Sequence, residues 1–94
     1  MKIEEISEKI IPILRKHQIK RAGIFGSVAT GKATKKSDVD ILVELAMEIS
    51  LLDFVKIKCE LEDRLGTKVD LVEYRAVKPR LRDRIISQEI RIYG

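Results

Sequence analysis

Three aspartates and one Gly-Ser pair are the residues of this sequence best placed to do chemistry. Asp38 and Asp40 stand one residue apart in Ser37-Asp38-Val39-Asp40-Ile41-Leu42-Val43-Glu44. The alternation predicts a strand over 38–44, with Val39, Ile41 and Val43 on a packed face and Asp38 and Asp40 on the other. Carboxylates at i and i+2 on a strand project the same way and repel. A divalent cation relieves that repulsion and takes up their hard oxygen ligands. Taken alone, Asp-x-Asp also describes a solvated strand end whose acids pair weakly with Lys35 or Lys36. Asp70 weighs against that reading. It interrupts the apolar run Val69-Asp70-Leu71-Val72, where Asp is disfavoured and a buried charge needs a partner. If its strand lies beside the first, three carboxylates converge. Two metal ions about 4 Å apart could then clamp the attacking and leaving oxygens of a phosphoryl displacement.

Gly26-Ser27 precedes the aspartates. A glycine at a strand end lets the backbone approach a ligand closely. A serine hydroxyl and the free amides of a starting helical turn can hold a phosphate. Gly-Ser is also an ordinary turn dipeptide, so its weight comes from the aspartates that follow. Rival metals fit less well. The residue two beyond Asp40 is Leu42, with no glycine or distal glutamate at EF-hand spacing. His17 and Cys59 are the sole imidazole and thiol, and two such residues do not make a zinc site. Their ordinary roles are a helix C-terminal residue for His17 and core packing for Cys59.

The elements that must position these groups are readable in order. Ile3, Ile6, Ile10, Ile13 and Leu14 recur at helical spacing and predict an amphipathic helix ending near His17, with a kink or restart at Pro12. A short buried strand follows over 21–25. Ser27 to Thr30 starts a helical turn closed by Gly31. Ser50 with Asp53 forms a capping box for a helix to Leu65 that presents Leu51, Phe54, Val55, Leu61 and Leu65 to a core, capped by Gly66. Residues 68–72 form the strand carrying Asp70. Pro79 suits the first position of a last helix, with Leu81, Ile85 and Ile86 inward. Ile90, Ile92 and Tyr93 make a final short strand. Tyr74 could stack on a base, although a half-buried strand-end aromatic is its commoner role.

The 94 residues suffice for a single domain, 1–94. A chain this small buries a modest fraction of its surface, which favours a partner subunit or a second copy. The 19 Lys and Arg exceed the 15 Asp and Glu by four, enough to help attract a nucleoside triphosphate. The cations are dispersed and lack interleaved aromatics, which argues against direct nucleic-acid binding. Lys78, Arg80, Arg82, Arg84 and Arg91 read as a solvated face or a protein interface. A single cysteine, an acidic N-terminus where a signal peptide would be apolar, and no apolar stretch near 20 residues point to a cytoplasmic protein without a membrane anchor.

Gly26-Ser27, ten residues, then Asp38-Val39-Asp40, in the text GSVATGKATKKSDVDILVE, resembles the signature of the polymerase β-type nucleotidyltransferases, and in particular the minimal nucleotidyltransferase (MNT) proteins. The resemblance runs through the whole chain, from the leading helix to Tyr93-Gly94. It implies an α/β (α+β) nucleotidyltransferase fold: a small mixed sheet with helices mainly on one face. It implies that Gly26 and Ser27 hold the triphosphate of ATP. Asp38 and Asp40 bind magnesium, and Asp70 completes a two-metal site as the third carboxylate. Together the three would be the catalytic and metal residues. MNT proteins are commonly encoded beside a HEPN-domain toxin. The resemblance therefore implies an antitoxin that transfers AMP from ATP to a tyrosine hydroxyl of that partner. Neutralisation by binding alone, or transfer to a small molecule, are the alternatives. Thr30 stands where many relatives of the family carry an arginine. It cannot supply that charge, though Lys32, Lys35 or Lys36 could.

Overall fold

The computed structural model describes residues 2–34 and 38–94. Lys35 and Lys36, and with them any pairing to the strand aspartates, lie outside the described residues. The chain runs α1 (Ile3–Lys16), β1 (Ile19–Phe25), a single turn α2 (Gly26–Ala29), β2 (Val39–Leu45), α3 (Leu51–Leu65), β3 (Val69–Glu73), a 3₁₀ turn (Tyr74–Ala76), α4 (Pro79–Gln88) and β4 (Ile90–Tyr93). The strands form one mixed sheet in the order β3-β2-β1-β4. β1 pairs antiparallel with β2 and β4, and β2 pairs parallel with β3. A parallel neighbour requires a crossover, and α3 is that crossover.

The helix ends follow local chemistry. Glu4 and Glu5 sit in the first turn of α1, Arg15 and Lys16 in the last, each sign where the helix dipole favours it. The expected restart at Pro12 does not occur, because α1 continues through it to Lys16. Pro12 and Glu8 are both exposed, so the carbonyl that proline leaves without a partner can face water. His17 caps the helix, and its Nε2 lies 3.0 Å from Glu60 Oε1 while Lys16 Nζ donates to Glu60 Oε2 at 2.8 Å. These bonds tie α1 to α3 and hold the Glu60 carboxyl below its usual range, the Lys16 bond contributing most. Ser50 Oγ accepts from the Asp53 amide at 3.1 Å, and Gly66 ends α3 in the left-handed region at φ +71°.

One face of the sheet carries the core. Ile6, Ile10, Ile13 and Leu14 of α1 and Ile57, Leu61 and Leu65 of α3 close over Ala22, Ile24, Val39, Ile41, Val43, Val69 and Leu71. The alternation expected in β2 holds for that face. The other face is not bare, however: Leu42 points away from this core and is fully buried as well.

Three packing expectations are corrected. In α3 the buried stripe is Ile57, Leu61 and Leu65, while Leu51 is 79% exposed and Val55 is exposed too. The stripe fixes the helix phase four residues at a time, and Leu51 and Val55 fall off it. Cys59 is exposed for the same reason. In α4, Leu81 and Ile86 are exposed and no residue is buried.

Candidate active site

β1 leads into the site. It ends at Phe25, and Gly26 turns the chain at φ +72° into α2. A β-carbon on Gly26 would collide with Asp40 Oδ2. The glycine is thus required twice, by its backbone angle and by how closely the turn passes the carboxylate. The turn is tightly closed. The Lys32 amide donates to Ser27 O at 2.8 Å, the Thr30 amide donates to Gly26 O at 3.0 Å, and Thr30 Oγ1 donates to the same oxygen at 3.1 Å. The Thr30 hydroxyl therefore serves the turn itself.

The register across the sheet brings the aspartates together. Asp40 sits between Phe25 of β1 and Asp70 of β3 as direct Cα partners. In-register residues of parallel neighbours share a face about 4.8 Å apart, so Asp40 and Asp70 stand side by side. Asp38 lies just before β2, on the same face by alternation, and is exposed. Burial pushes the Asp40 carboxyl above its usual range, and the charges of Asp70 and then Asp38 push it further. Asp70 itself is exposed. The expectation of a buried charge there is corrected, because β3 is an edge strand and Asp70 lies on its open side. Among the described residues, no three carboxylate, imidazole or thiol groups form a ready metal cage. Asp40 and Asp70 are the facing pair, and Asp38 would complete the set by turning in from the mouth of β2.

The same face continues away from the aspartates and holds half-buried Tyr74 with two groups that the sequence did not single out, Glu89 and Arg21. Glu89, between α4 and β4, lays its carboxylate where a β-carbon of Gly23 would be. Its Oε2 is buried with no hydrogen-bond partner among the described residues, and burial pushes its pKa up. Arg21 donates from Nε to Glu44 Oε1 at 2.9 Å and lays its guanidinium 4.1 Å from the Tyr74 ring centroid. Tyr74 belongs to the 3₁₀ turn after β3, and its buried hydroxyl has no hydrogen-bond partner among the described residues. Arg21, Glu44 and Tyr74, with Met47, Arg75, Arg82 and Ile86 among others, line a cleft of about 600 Å³. No spacing in the sequence announces Glu89 or Arg21, because the register of β1 with its neighbours creates both contacts.

Comparison with known proteins decides the family. The model of the polymerase beta nucleotidyltransferase domain matches residues 8–94. The chain belongs to the polymerase β nucleotidyltransferase family. A relative from Methanocaldococcus jannaschii, provisionally named a protein adenylyltransferase, is 51% identical over 90 residues, covering 96% of this chain and 97% of its own. The protein adenylyltransferase MntA of Thermococcus cleftensis is 34% identical over 91 residues, covering 88% of this chain and 92% of its own. Among solved structures, a toxin–antitoxin crystal structure with AMP-PNP superposes with a TM-score of 0.83 at 28% identity, over 94% of this chain and 73% of that one. A Shewanella oneidensis complex of a tri-AMPylated HEPN toxin with its MNT antitoxin superposes at 0.76 with 25% identity, over 97% of this chain and 71% of that one. This nucleotidyltransferase has no helix, among its described residues, long and apolar enough to cross a membrane.

Proposed function

We propose that this nucleotidyltransferase transfers AMP from ATP to a tyrosine hydroxyl of a HEPN-domain toxin and acts as its antitoxin. The observation that carries the reading is the parallel register that sets Asp40 beside Asp70, with the Gly26 turn pressed against Asp40. Its relatives named as adenylyltransferases and the AMPylated toxin complex support the choice of substrate and acceptor.

The donor set suits magnesium. The groups are hard carboxylate oxygens, they already repel one another at Asp40, and a divalent cation offsets that repulsion. Asp38, Asp40 and Asp70 are the residues to hold it. Bound there, magnesium would supply positive charge to the phosphates and to the reacting oxygens. The chain's own groups orient the reaction. Gly26 and Ser27 receive the triphosphate through backbone amides and the serine hydroxyl, which leaves the α-phosphate over the Asp40–Asp70 pair. Asp70, open to solvent on the edge strand, faces the side from which an acceptor hydroxyl arrives. The hydroxyl oxygen bonds to the α-phosphorus, the bond to the β-phosphate's bridging oxygen breaks, pyrophosphate leaves, and the hydroxyl proton passes to solvent.

Neutralisation by binding alone is the second reading, favoured by one observation: Thr30 spends its hydroxyl on Gly26 O and brings no charge to the phosphates. The test is intact-mass analysis of the protein encoded beside this one after incubation with the chain, ATP and magnesium. The proposal expects an added AMP that is lost with the Asp38→Asn/Asp40→Asn double variant. A stable complex with no mass gain would replace it by the second reading.

A further inference from the structure

Of the described helices of ten or more residues, α4 is the one without a buried residue. It packs against β1 and α2, on the face that carries Asp40, yet none of its ten residues is buried. Short helices owe their stability in water to packing of an apolar side, and here Leu81 and Ile86 remain exposed. The charge on α4 is equally unmet. Lys78, Arg80, Arg82 and Arg84 stand against Asp83 alone within 78–84. Among the described residues none of the four forms an ion pair. The single bond of Arg82 is a long one of 3.4 Å to Val77 O. Arg82 and Ile86 together form one wall of the 600 Å³ cleft, whose other walls include Leu45, Met47 and Tyr74. Arg21 and Arg75 in that cleft are already paired with Glu44 and Glu73, which leaves Arg82 as its open cation.

We infer that the α4 face and its cleft are the docking surface for an acidic, partly apolar segment of the acceptor protein, which thereby reaches the Asp40–Asp70 pair. The inference rests on the adenylyl-transfer reading for the identity of the partner. Unpaired Arg82, one helical turn before exposed Ile86 on the cleft side of α4, calls for an acidic protein surface with an apolar side chain for the cleft, since arginine, tyrosine and methionine are the anchors that interfaces enrich. A nucleic acid would satisfy the charges and leave the apolar residues wet, and no aromatic stands on α4 for bases to stack on. The position serves the chemistry too. α4 leans on the Gly26–Ala29 turn, so a segment bound along it ends beside the triphosphate and the carboxylates.

The test is the affinity of Arg82→Glu for the HEPN-domain protein encoded beside this chain, with the Kd of magnesium AMP-PNP as the check on fold and site. Arg82 belongs to neither the nucleotide nor the carboxylate machinery. Partner binding should weaken at least about tenfold and become less salt-dependent, while AMP-PNP binding stays unchanged. The KM for the acceptor should rise with kcat preserved. Ile86→Ser, which leaves every charge in place, should weaken the same complex. An unchanged partner Kd in both variants overturns the inference. So does failure of the wild-type chain to bind the partner. Loss in the variants of self-association, seen by sedimentation, or of binding to a single-stranded oligouridylate, with the partner Kd intact, also overturns it and assigns the face to a second copy or to RNA. A wild-type complex that the variants weaken, but that never acquires AMP, upholds the docking surface and sinks the transferase reading.

Discussion

Asp40 concentrates the site's demands at the residue scale. It is flanked by Phe25 and Asp70, half-buried, and pressed by the Gly26 turn. Asp40→Asn keeps the shape and removes the charge that a cation would need. Transfer should fall by about two orders of magnitude or more, while the thermal midpoint measured by circular dichroism stays within a few degrees of wild type. A variant with full activity would remove Asp40 from the metal assignment. Gly26→Ala tests the turn from the other side. Its φ of +72° makes an L-residue cost about 1–2 kcal/mol, and its β-carbon displaces the Asp40 carboxylate. A modest drop in urea midpoint with a large loss of AMP-PNP affinity is expected; a stability loss with unchanged affinity would uncouple the turn from the site. The Asp-x-Asp alternation and the odd charge of Asp70 were legible in the sequence, since side-chain direction on a strand has period two. That Asp70 is exposed was not, because burial depends on β3 being an edge strand, a property of sheet order rather than of local text.

Elements set the phase in which those residues are presented, and α3 shows where phase is hard to read. Leu51, Phe54, Val55, Ile57, Leu61 and Leu65 offer more apolar positions than one helix stripe can hold. The core takes Ile57, Leu61 and Leu65. Leu61→Ala should cost about 2–5 kcal/mol by emptying a fully buried site, whereas Leu51→Ala at 79% exposure should change the urea midpoint little. Equal effects would mean that α3 is rotated. The ends of α3 were easier to foresee than its phase, because Ser50 and Gly66 act through their own backbone geometry. The junction of α4 and β4 gives a pH test. Burial raises the Glu89 pKa in the folded chain, so folding favours its protonated form. Whatever stability this contributes is fully present below the unfolded glutamate pKa of about 4.3 and is lost as pH rises through the folded pKa. Glu89→Gln cannot ionise. Its urea midpoint should exceed that of wild type at neutral pH, and the gap should close in acid; a gap independent of pH would assign the effect to packing on Gly23.

At the scale of the whole molecule, the chain has one packed face and one working face; the main core cluster lies on the first, and Leu42 is buried on the second. The working face has a pair of carboxylates at one end, a cleft at the other, and a single incompletely buried helix leaning over it. Nothing among the described residues closes over the nucleotide that the Gly26 turn would receive. On the proposed reading, such a site alone would grip ATP through its triphosphate, with the base and ribose left to solvent. The partner that presents the acceptor hydroxyl would also wall in the nucleotide. Affinities for the two are then linked, and the linkage is reciprocal: whatever factor the partner adds to nucleotide affinity, the nucleotide must add to partner affinity. Calorimetric titration of magnesium AMP-PNP should give weak binding to the chain alone and binding at least about fivefold tighter to the complex. Partner titrations with and without AMP-PNP should return the same factor. Equal affinities in all four titrations would mean that the two ligands occupy the chain independently, and that the working face completes its nucleotide site without help.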